Sequence, residues 1–339
     1  MHSVDFWFMR CPDPATDPIP GMAEAGLLEP SASYQDIART KAALTERTGL
    51  LGVGSVWGGR QMVGRWFLDG FGTEIHKMLF RGATMAVAIS EPKVGAHPKH
   101  LTTRAERTEK GWRLNGEKAW TSNGPIAEII IVLAITAGEA GRKHYSMFLV
   151  PRGTPGITLR DMPGFHALRP SRHSHVVLEN CEIPAVLLLG AEGEAYDRMA
   201  LPFRDVEDTV GTFGTLGALR FLLDRLRPKA EPTNEAALSL GALAALTAVY
   251  EAGAEAVIAP LDQAPLDQAL AGTASATLVG LRLLAAEILR LARSHVVAHG
   301  PADDPAVTTL FSDMEASSGV ARGPRLARQA RLGMNHPPP

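Results

Sequence analysis

Three segments combine residue types that can do chemistry. The first is Ile89-Ser90-Glu91-Pro92-Lys93-Val94-Gly95 and the second is Lys118-Ala119-Trp120-Thr121-Ser122-Asn123-Gly124. The third is Glu207-Asp208-Thr209-Val210-Gly211-Thr212-Phe213-Gly214-Thr215-Leu216-Gly217. Short hydroxyls and backbone amides at strand ends suit the polar edge of a flat heteroaromatic ring, and a tryptophan can pack against its face. Ser90, Ser122 and Trp120 are of those types. Taken singly, each reads equally well as a turn or core residue, and only the ordered set points to a ligand. In the third segment Gly211, Gly214 and Ala218 lie four, seven and eleven positions after Glu207, on the same helix face. A carboxylate heading such a stripe leaves room for a ligand. It suits proton abstraction, best with its pKa raised by burial. The competing reading packs a second helix on the small stripe and leaves Glu207 as a solvated charge near the positive end of the helix dipole.

The elements that must position these residues change in character along the chain. The first thirty residues carry several Pro and Gly and predict irregular structure. Tyr34, Ile37, Ala38 and Ala42 recur at helical spacing, and residues 60–79 read as a further helix through Met62, Val63, Trp66, Phe67 and Phe71. Near Met85 the pattern turns to short apolar runs: Met85–Ile89, Thr102–Glu106, Gly111–Leu114, Glu117–Trp120, Ile129–Ile135, Met147–Val150, Ile157–Leu159 and His175–Leu178. Asn115-Gly116 between two of them predicts a hairpin turn. Many short strands with turn chemistry predict a small barrel or sandwich. After Pro202 the strands stop. Residues 205–227, 235–258 and 265–299 read as helices, Gly300-Pro301 ends the last of these, and Ser312–Glu315 fits a capping box opening a final helix. The order predicts an α+β multidomain chain: residues 1–84 a reduced N-terminal helical domain, 85–193 a central β-barrel, 194–334 a C-terminal helical bundle, and 335–339 a disordered tail. No Gly-rich phosphate fingerprint of the Rossmann or P-loop type follows a strand.

Composition excludes other classes. The 339 residues carry a formal net charge of −2 with no long basic run, which argues against nucleic acid as main partner. Two distant cysteines, Cys11 and Cys181, form neither a disulfide framework nor a zinc pattern and fit a reducing compartment. No signal peptide is read at the N-terminus, and no window is read as long and apolar enough for a membrane helix. A cytoplasmic protein with no membrane partner is the expectation. His166, His173 and His175 lack metal-ligand spacing and read as strand and loop residues, so no metal is expected.

Over residues 70–220 the sequence resembles the acyl-CoA dehydrogenase family. The first two segments match its flavin-contacting motifs, and Trp112-Arg113-Leu114-Asn115-Gly116 its intervening strand. Phe71-Gly72-Thr73-Glu74, Leu168-Arg169-Pro170-Ser171, Glu179-Asn180-Cys181-Glu182-Ile183-Pro184 and Leu189-Gly190 follow its order. The resemblance implies FAD between barrel and bundle, with Trp120 covering one face of the ring. Ser122 and Ser90 would bond its polar edge, aided by Thr121 and by the backbone of Val87, Ala88 and Ile89. It implies an acyl-CoA-type substrate, with Glu207 removing the α-proton while the β-hydride leaves to flavin N5. An electron-transfer flavoprotein or another acceptor would take the electrons, and a homo-oligomer, or a hetero-oligomer with a paralogue, is expected. Four departures stand out. Ala96 replaces a serine, and Asp208 replaces an arginine that reaches the FAD diphosphate, where an acid would repel phosphate. The late Tyr-Glu-Gly-Thr segment that usually carries the base has no match, and the chain is shorter than typical members. They keep two alternatives open: a non-catalytic partner subunit of a hetero-oligomeric dehydrogenase, and a flavin monooxygenase on the same fold. The arginines from Arg322 to Arg331 read as the charged face of a last helix, or else as a CoA-phosphate or subunit contact.

Overall fold

The structure is a computed structural model that describes residues 3–139, 142–162, 164–228, 231–263, 273–301, 303–319 and 321–334. The expected tail at 335–339 lies outside the described residues. The N-terminal region is not irregular throughout: Ser3–Arg10 forms helix α1, anchored by fully buried Trp7, whose indole donates to Pro18 O at 2.9 Å. Helix α2, Tyr34–Thr48, starts at Ser33, whose hydroxyl accepts from Asp36 N, and stops at Gly49 in the left-handed region, φ 71°. The helix expected over residues 60–79 is two pieces. Helix α3, Leu51–Val63, widens into a π-type turn through Asp69, and α4, Glu74–Phe80, restarts at the Thr73 cap. The hydroxyl of Thr73 accepts from His76 N and so sets a new helix start inside an apolar pattern that by itself reads as continuous.

Eight strands follow: β1 Met85–Ala88, β2 Arg104–Arg107, β3 Gly111–Ser122, β4 Ile129–Glu139, β5 Arg142–Pro151, β6 Ile157–Asp161, β7 His173–Pro184 and β8 Leu188–Leu189. They form one mixed sheet in the order β6-β7-β3-β2-β4-β5-β8, with β1 parallel to β4. The expected barrel does not close, because the edges β6 and β8 remain unpaired with each other. The join between the two wings is too short for closure: β2 has four residues and meets β4 at the single pair Arg104↔Ile135. The hairpin expected at Asn115-Gly116 is also absent. Both residues lie inside β3, at a register shift opposite β7. Gly116 is required there because a Cβ would stand 2.6 Å from Thr103 Oγ1 at φ 146°. The turn lies earlier, where Thr108 N donates to Gly111 O and β2 hands over to β3.

Strand β4 has two apolar faces, as its unbroken Ile/Val run demands. Ile130, Val132 and Ala134 join Trp112, Phe148 and Val176 in the core of the sheet. Ile129, Ile131, Leu133 and Ile135 face the helices, sharing a core with Ile37, Phe67, Phe203 and Phe213. That helical layer combines α1–α4 with α5 Leu201–Arg225, α6 Asn234–Ile258, α7 Thr273–His299, α8 Pro305–Gly319 and α9 Arg322–Met334. Ser312 lies inside α8, so the expected capping box opens no helix. The reading that no window suits a membrane is corrected too. Asn234–Asp262 is long and apolar enough by composition, with mean hydropathy 1.4. Here α6 packs one face on the core, with Leu243, Tyr250 and Val257 buried and Tyr250 OH donating to Thr212 O at 3.2 Å, while Leu238 and Val249 are exposed.

The closest helix approach is α2 on α5, where a Cβ at Gly217 would fall 2.2 Å from Ala42 O. That atom is backbone and has nowhere to retreat. We predict that Gly217→Ala lowers stability by about 1–3 kcal/mol, the usual cost of overpacking, read as a lower urea midpoint with unchanged slope.

Candidate active site

Glu91 and Lys118 hold the first two motifs together. Lys118 Nζ donates to Glu91 Oε1 at 3.0 Å and to Ile89 O at 3.1 Å, and both side chains are almost fully buried. Glu91 accepts four further bonds, from the amides and hydroxyls of Thr102 and Thr103, at 2.7–2.9 Å. Burial alone would raise the Glu91 carboxyl, but the Lys118 charge and the threonine bonds outweigh it and hold the group at about 2. Burial pushes the Lys118 ammonium down to about 8 against the pull of Glu91, so the pair is charged at neutral pH. With this clamp closed, Ala119 N donates to Ser90 O at 2.8 Å, and the Ser90 loop lies beside the end of β3.

At that end the backbone is strained. Trp120 and Asn123 have φ 60°, and Trp120 sits at a register shift between β3 and β7. The shift turns the indole outward, so that Trp120 is 44% exposed and packs edge-on to Phe165 at 5.3 Å and His173 at 6.2 Å. Burial holds the His173 imidazole down at about 4, with the Arg169 charge adding to the effect, so the ring is neutral. Thr121 Oγ1, Ser174 Oγ and His173 Nδ1 are buried without a hydrogen-bond partner. Thr121 pairs with Ser174 and Ser122 with His173 across β3 and β7, so the orphan atoms share one end of the ribbon. Unsatisfied buried groups in a native fold call for a partner. An outward aromatic plate, the open hydroxyl of Ser122 and the half-open Ser90 fit a flat ring with a polar edge. Among the other predicted contacts, the side chains of Ala88 and Thr121 are buried, and Val87 and Ile89 are partly open.

Glu207 stands apart from this ribbon, in the helical layer. It lines a cavity of about 650 Å³ with Leu51, Gly211, Tyr250 and Arg325 among the walls. It lies in the second turn of α5, after a π-type turn over Tyr196–Ala200, so the end-of-helix reading does not hold. Its side chain is exposed to solvent through the cavity, although many protein atoms surround that opening. Desolvation by those atoms raises its carboxyl to about 7, with Asp208 adding to the rise and Lys41, Arg204 and Arg325 opposing it. The small stripe divides between the two expectations. No atom lies within 4 Å of a Cβ built on Gly211, whereas Gly214 abuts Lys41 and Leu51. Helix α3 connects this cavity to the ribbon. Leu51 borders the cavity, and one turn on, Ser55 O accepts from Asn123 Nδ2 at 3.3 Å. One helical turn is about 5.4 Å, so α3 brings the two halves of the site close together.

Residues 86–181 match the acyl-CoA dehydrogenase middle domain. The chain is 33% identical over 143 residues to mitochondrial isovaleryl-CoA dehydrogenase of Arabidopsis thaliana, covering 42% of this chain and 35% of that protein. Cyclohexane-1-carbonyl-CoA dehydrogenase of Syntrophus aciditrophicus is 39% identical over 102 residues, 30% of this chain and 27% of that one. The matches thus span about a third of these relatives' length. The fold is similar over nearly the whole chain to butyryl-CoA dehydrogenase from Megasphaera elsdenii, with TM-score 0.82 at 17% identity, covering 98% of this chain and 96% of that one. The FAD complex of PigA superposes with TM-score 0.76 at 20% identity, covering 99% and 91%. Residues 86–181 thus match the acyl-CoA dehydrogenase middle domain, and the chain as a whole shares the fold of solved acyl-CoA dehydrogenases.

The departures from the family pattern now have surroundings. Asp208 is not an open acid facing a phosphate: Arg325 pairs with it at 3.1 Å, and Arg328 reaches both Asp205 and Asp208. Two of the four α9 arginines, read from sequence as a free charged face, therefore neutralise α5. Ala96 takes part through its backbone, its O accepting from Tyr196 OH at 3.4 Å. His175 bonds Glu117 at 2.7 Å, and no cluster suited to a metal occurs among the described residues. Both cysteines are free and buried. Sequence reading quoted Glu91 and Lys118 only as motif letters. Their charges, one in each motif, were the signal that the motifs are joined.

Replacing Lys118 by Met leaves Glu91 buried and unpaired, and should cost about 3–5 kcal/mol in urea unfolding. The Glu91 carboxyl is depressed from 4.5 to about 2, so its stabilisation is complete above pH 4.5 and lost as pH falls to 2. Urea midpoints of wild type should fall through that window, and those of Glu91→Gln should fall less.

Proposed function

We propose that this chain is an FAD-dependent, acyl-CoA dehydrogenase-like oxidoreductase with Glu207 as its base. The observation that carries the reading is the pairing of an outward tryptophan beside orphan polar atoms with a carboxylate that lines the cavity across α3. The middle-domain match and the fold support it, and the relatives the chain resembles are acyl-CoA dehydrogenases.

Trp120 would hold one face of the flavin, and Ser90 and Ser122 would bond its polar edge. Flavin bound there supplies the acceptor for a hydride leaving the β-carbon of the substrate. Glu207 takes the α-proton onto a carboxylate oxygen, and its rise to about 7 makes it a stronger base than an ordinary carboxylate while leaving it substantially ionised at neutral pH. The helix-lined cavity of about 650 Å³ is large enough for an acyl chain. Electrons would pass to an electron-transfer flavoprotein or another acceptor, and the protein would work as an oligomer in the cytoplasm.

Purified protein should show the visible absorbance bands of bound flavin and bleach when mixed with an acyl-CoA it oxidises. A protein that is colourless and takes up no added FAD would sink the reading. Glu207→Gln should retain flavin and lower kcat with a dye acceptor by about 100-fold or more, the usual share of a general base. The ionised carboxylate is the active form, so wild-type kcat/KM should fall below about pH 7. Flavin without acyl-CoA oxidation, but with oxygen consumption once reduced, would favour the monooxygenase reading. Co-purification with a second dehydrogenase-like chain would favour the partner-subunit reading.

A further inference from the structure

Lys41 of α2 is a half-buried cation for which the chemistry above has no use. Its side chain runs through a channel made of missing side chains. A Cβ on Gly54 would stand 3.1 Å from Lys41 Cγ, one on Gly58 3.1 Å from Cδ, and one on Gly214 3.0 Å from Cε. Gly54 and Gly58 belong to α3 and Gly214 to α5, so the stem is gripped from two helices and its tip is aimed by three positions. At Gly214 the tip arrives beside Leu51, which lines the Glu207 cavity. The ammonium makes no hydrogen bond or ion pair among the described residues, and the charge it feels is that of Glu207.

Gly211 and Gly214 follow Glu207 on one face of α5, two turns in all. Glu207 and the tip of Lys41 therefore stand at the two ends of a short floor whose middle, at Gly211, is open. The groups do not touch, since no ion pair within 4.0 Å joins them. That gap matters chemically. A contact pair would tie up the carboxylate lone pairs and make a poor proton acceptor, whereas a cation at a distance favours the ionised form and leaves both oxygens free.

We propose that Lys41 is a positioning residue for Glu207: delivered through the glycine channel, its charge keeps that carboxylate ionised and ready to accept a proton from the cavity. The other charges facing Glu207 are Asp208 and Arg204 on α5 and Arg325 on α9. Arg282 on α7, Glu315 on α8, and Arg322 and Arg328 on α9 complete the charged lining. Asp208 already pairs with Arg325, and Arg328 with Asp205 and Asp208. Of the three cations that act on Glu207, Lys41 and Arg204 make no ion pair among the described residues, and Lys41 exerts the larger pull. Charge drawn partly out of water is costly unless it serves something, and desolvation depresses the Lys41 ammonium itself.

The assignment rests on Glu207 as base, but its test runs on stability as well as turnover. The Glu207 carboxyl is raised from 4.5 to about 7, so the folded protein binds the extra proton and stability falls as pH rises between those values. In Lys41→Met, whose stem still fills the channel, the upper end of that fall should move up by about one pH unit. In a Glu207→Gln background the same substitution should leave the slope over that window unchanged. The acid limb of kcat/KM should move by the same amount, with little change in KM. Gly214→Ala, which displaces the Lys41 tip, should move both profiles in the same direction, and it carries the test if Lys41→Met does not fold. An unmoved stability profile, or an equal shift with and without Glu207, overturns the assignment. A stability shift that depends on Glu207 in a protein that oxidises no acyl-CoA upholds the Lys41–Glu207 coupling and removes the proposed reaction instead.

Discussion

The contact between Lys118 and Glu91 fixes where everything else in the ribbon half of the site can be. A lysine and a glutamate taken out of water cost several kcal/mol each, and their attraction repays this only when every remaining donor and acceptor is satisfied. Here Glu91 accepts from Lys118 and from the amides and hydroxyls of two threonines, and Lys118 also donates to Ile89 O. The donors come from the Thr102–Thr103 segment and from β3, while the acceptors belong to the Ile89–Glu91 loop. Three separate pieces of chain are thereby held at one point. Ser90 and Trp120 become neighbours because the residues beside them cannot separate without exposing a charge to an apolar core.

From that point the strain at Trp120 follows. A tryptophan at positive φ is costly, and the surrounding ladder must hold it in place. The register shift between β3 and β7 absorbs the extra residue and turns the indole out of the sheet, while Asn123 ties the next turn to α3 through Ser55 O. The orphan atoms of Thr121, His173 and Ser174 lie at the same end. Strain and unsatisfied polar groups both cost stability, and they coincide at one ribbon end, where the proposed flavin would meet them.

The helical half works by the opposite means, by absence. Gly54, Gly58, Gly211, Gly214 and Gly217 remove side chains at successive contacts among α2, α3 and α5. At Gly217 the vacancy is filled by the backbone of α2, at Gly54 by Thr45 Oγ1 and the Lys41 stem, at Gly58 and Gly214 by the stem of Lys41, and at Gly211 by nothing. One compositional device thus gives close packing, a conduit for a charge, and an open floor beside Glu207. The arginines of α9 complete the wall by meeting Asp205 and Asp208, so the acid at the family's arginine position is balanced within the chain.

The sequence by itself determined the middle-domain resemblance, the α+β layering, the two strand-end motifs and the carboxylate on a small-residue helix face. Those are local patterns of residue type and spacing, written in the chain without reference to partners far away. Only the tertiary structure decided the rest. Asn115-Gly116 reads as a hairpin, but the packing of Gly116 against Thr103 makes it a bulge inside one long strand. The run of strands reads as a barrel, but one short strand joins the wings and the sheet stays open. The stripe after Glu207 reads as either ligand floor or helix contact, and it is both, because α2 covers Gly214 and not Gly211. Lys41 had no readable signal: its meaning depends on glycines in two other helices, one of them more than 170 positions away. Long-range contacts set burial, and burial turns an ordinary lysine or glutamate into part of a site.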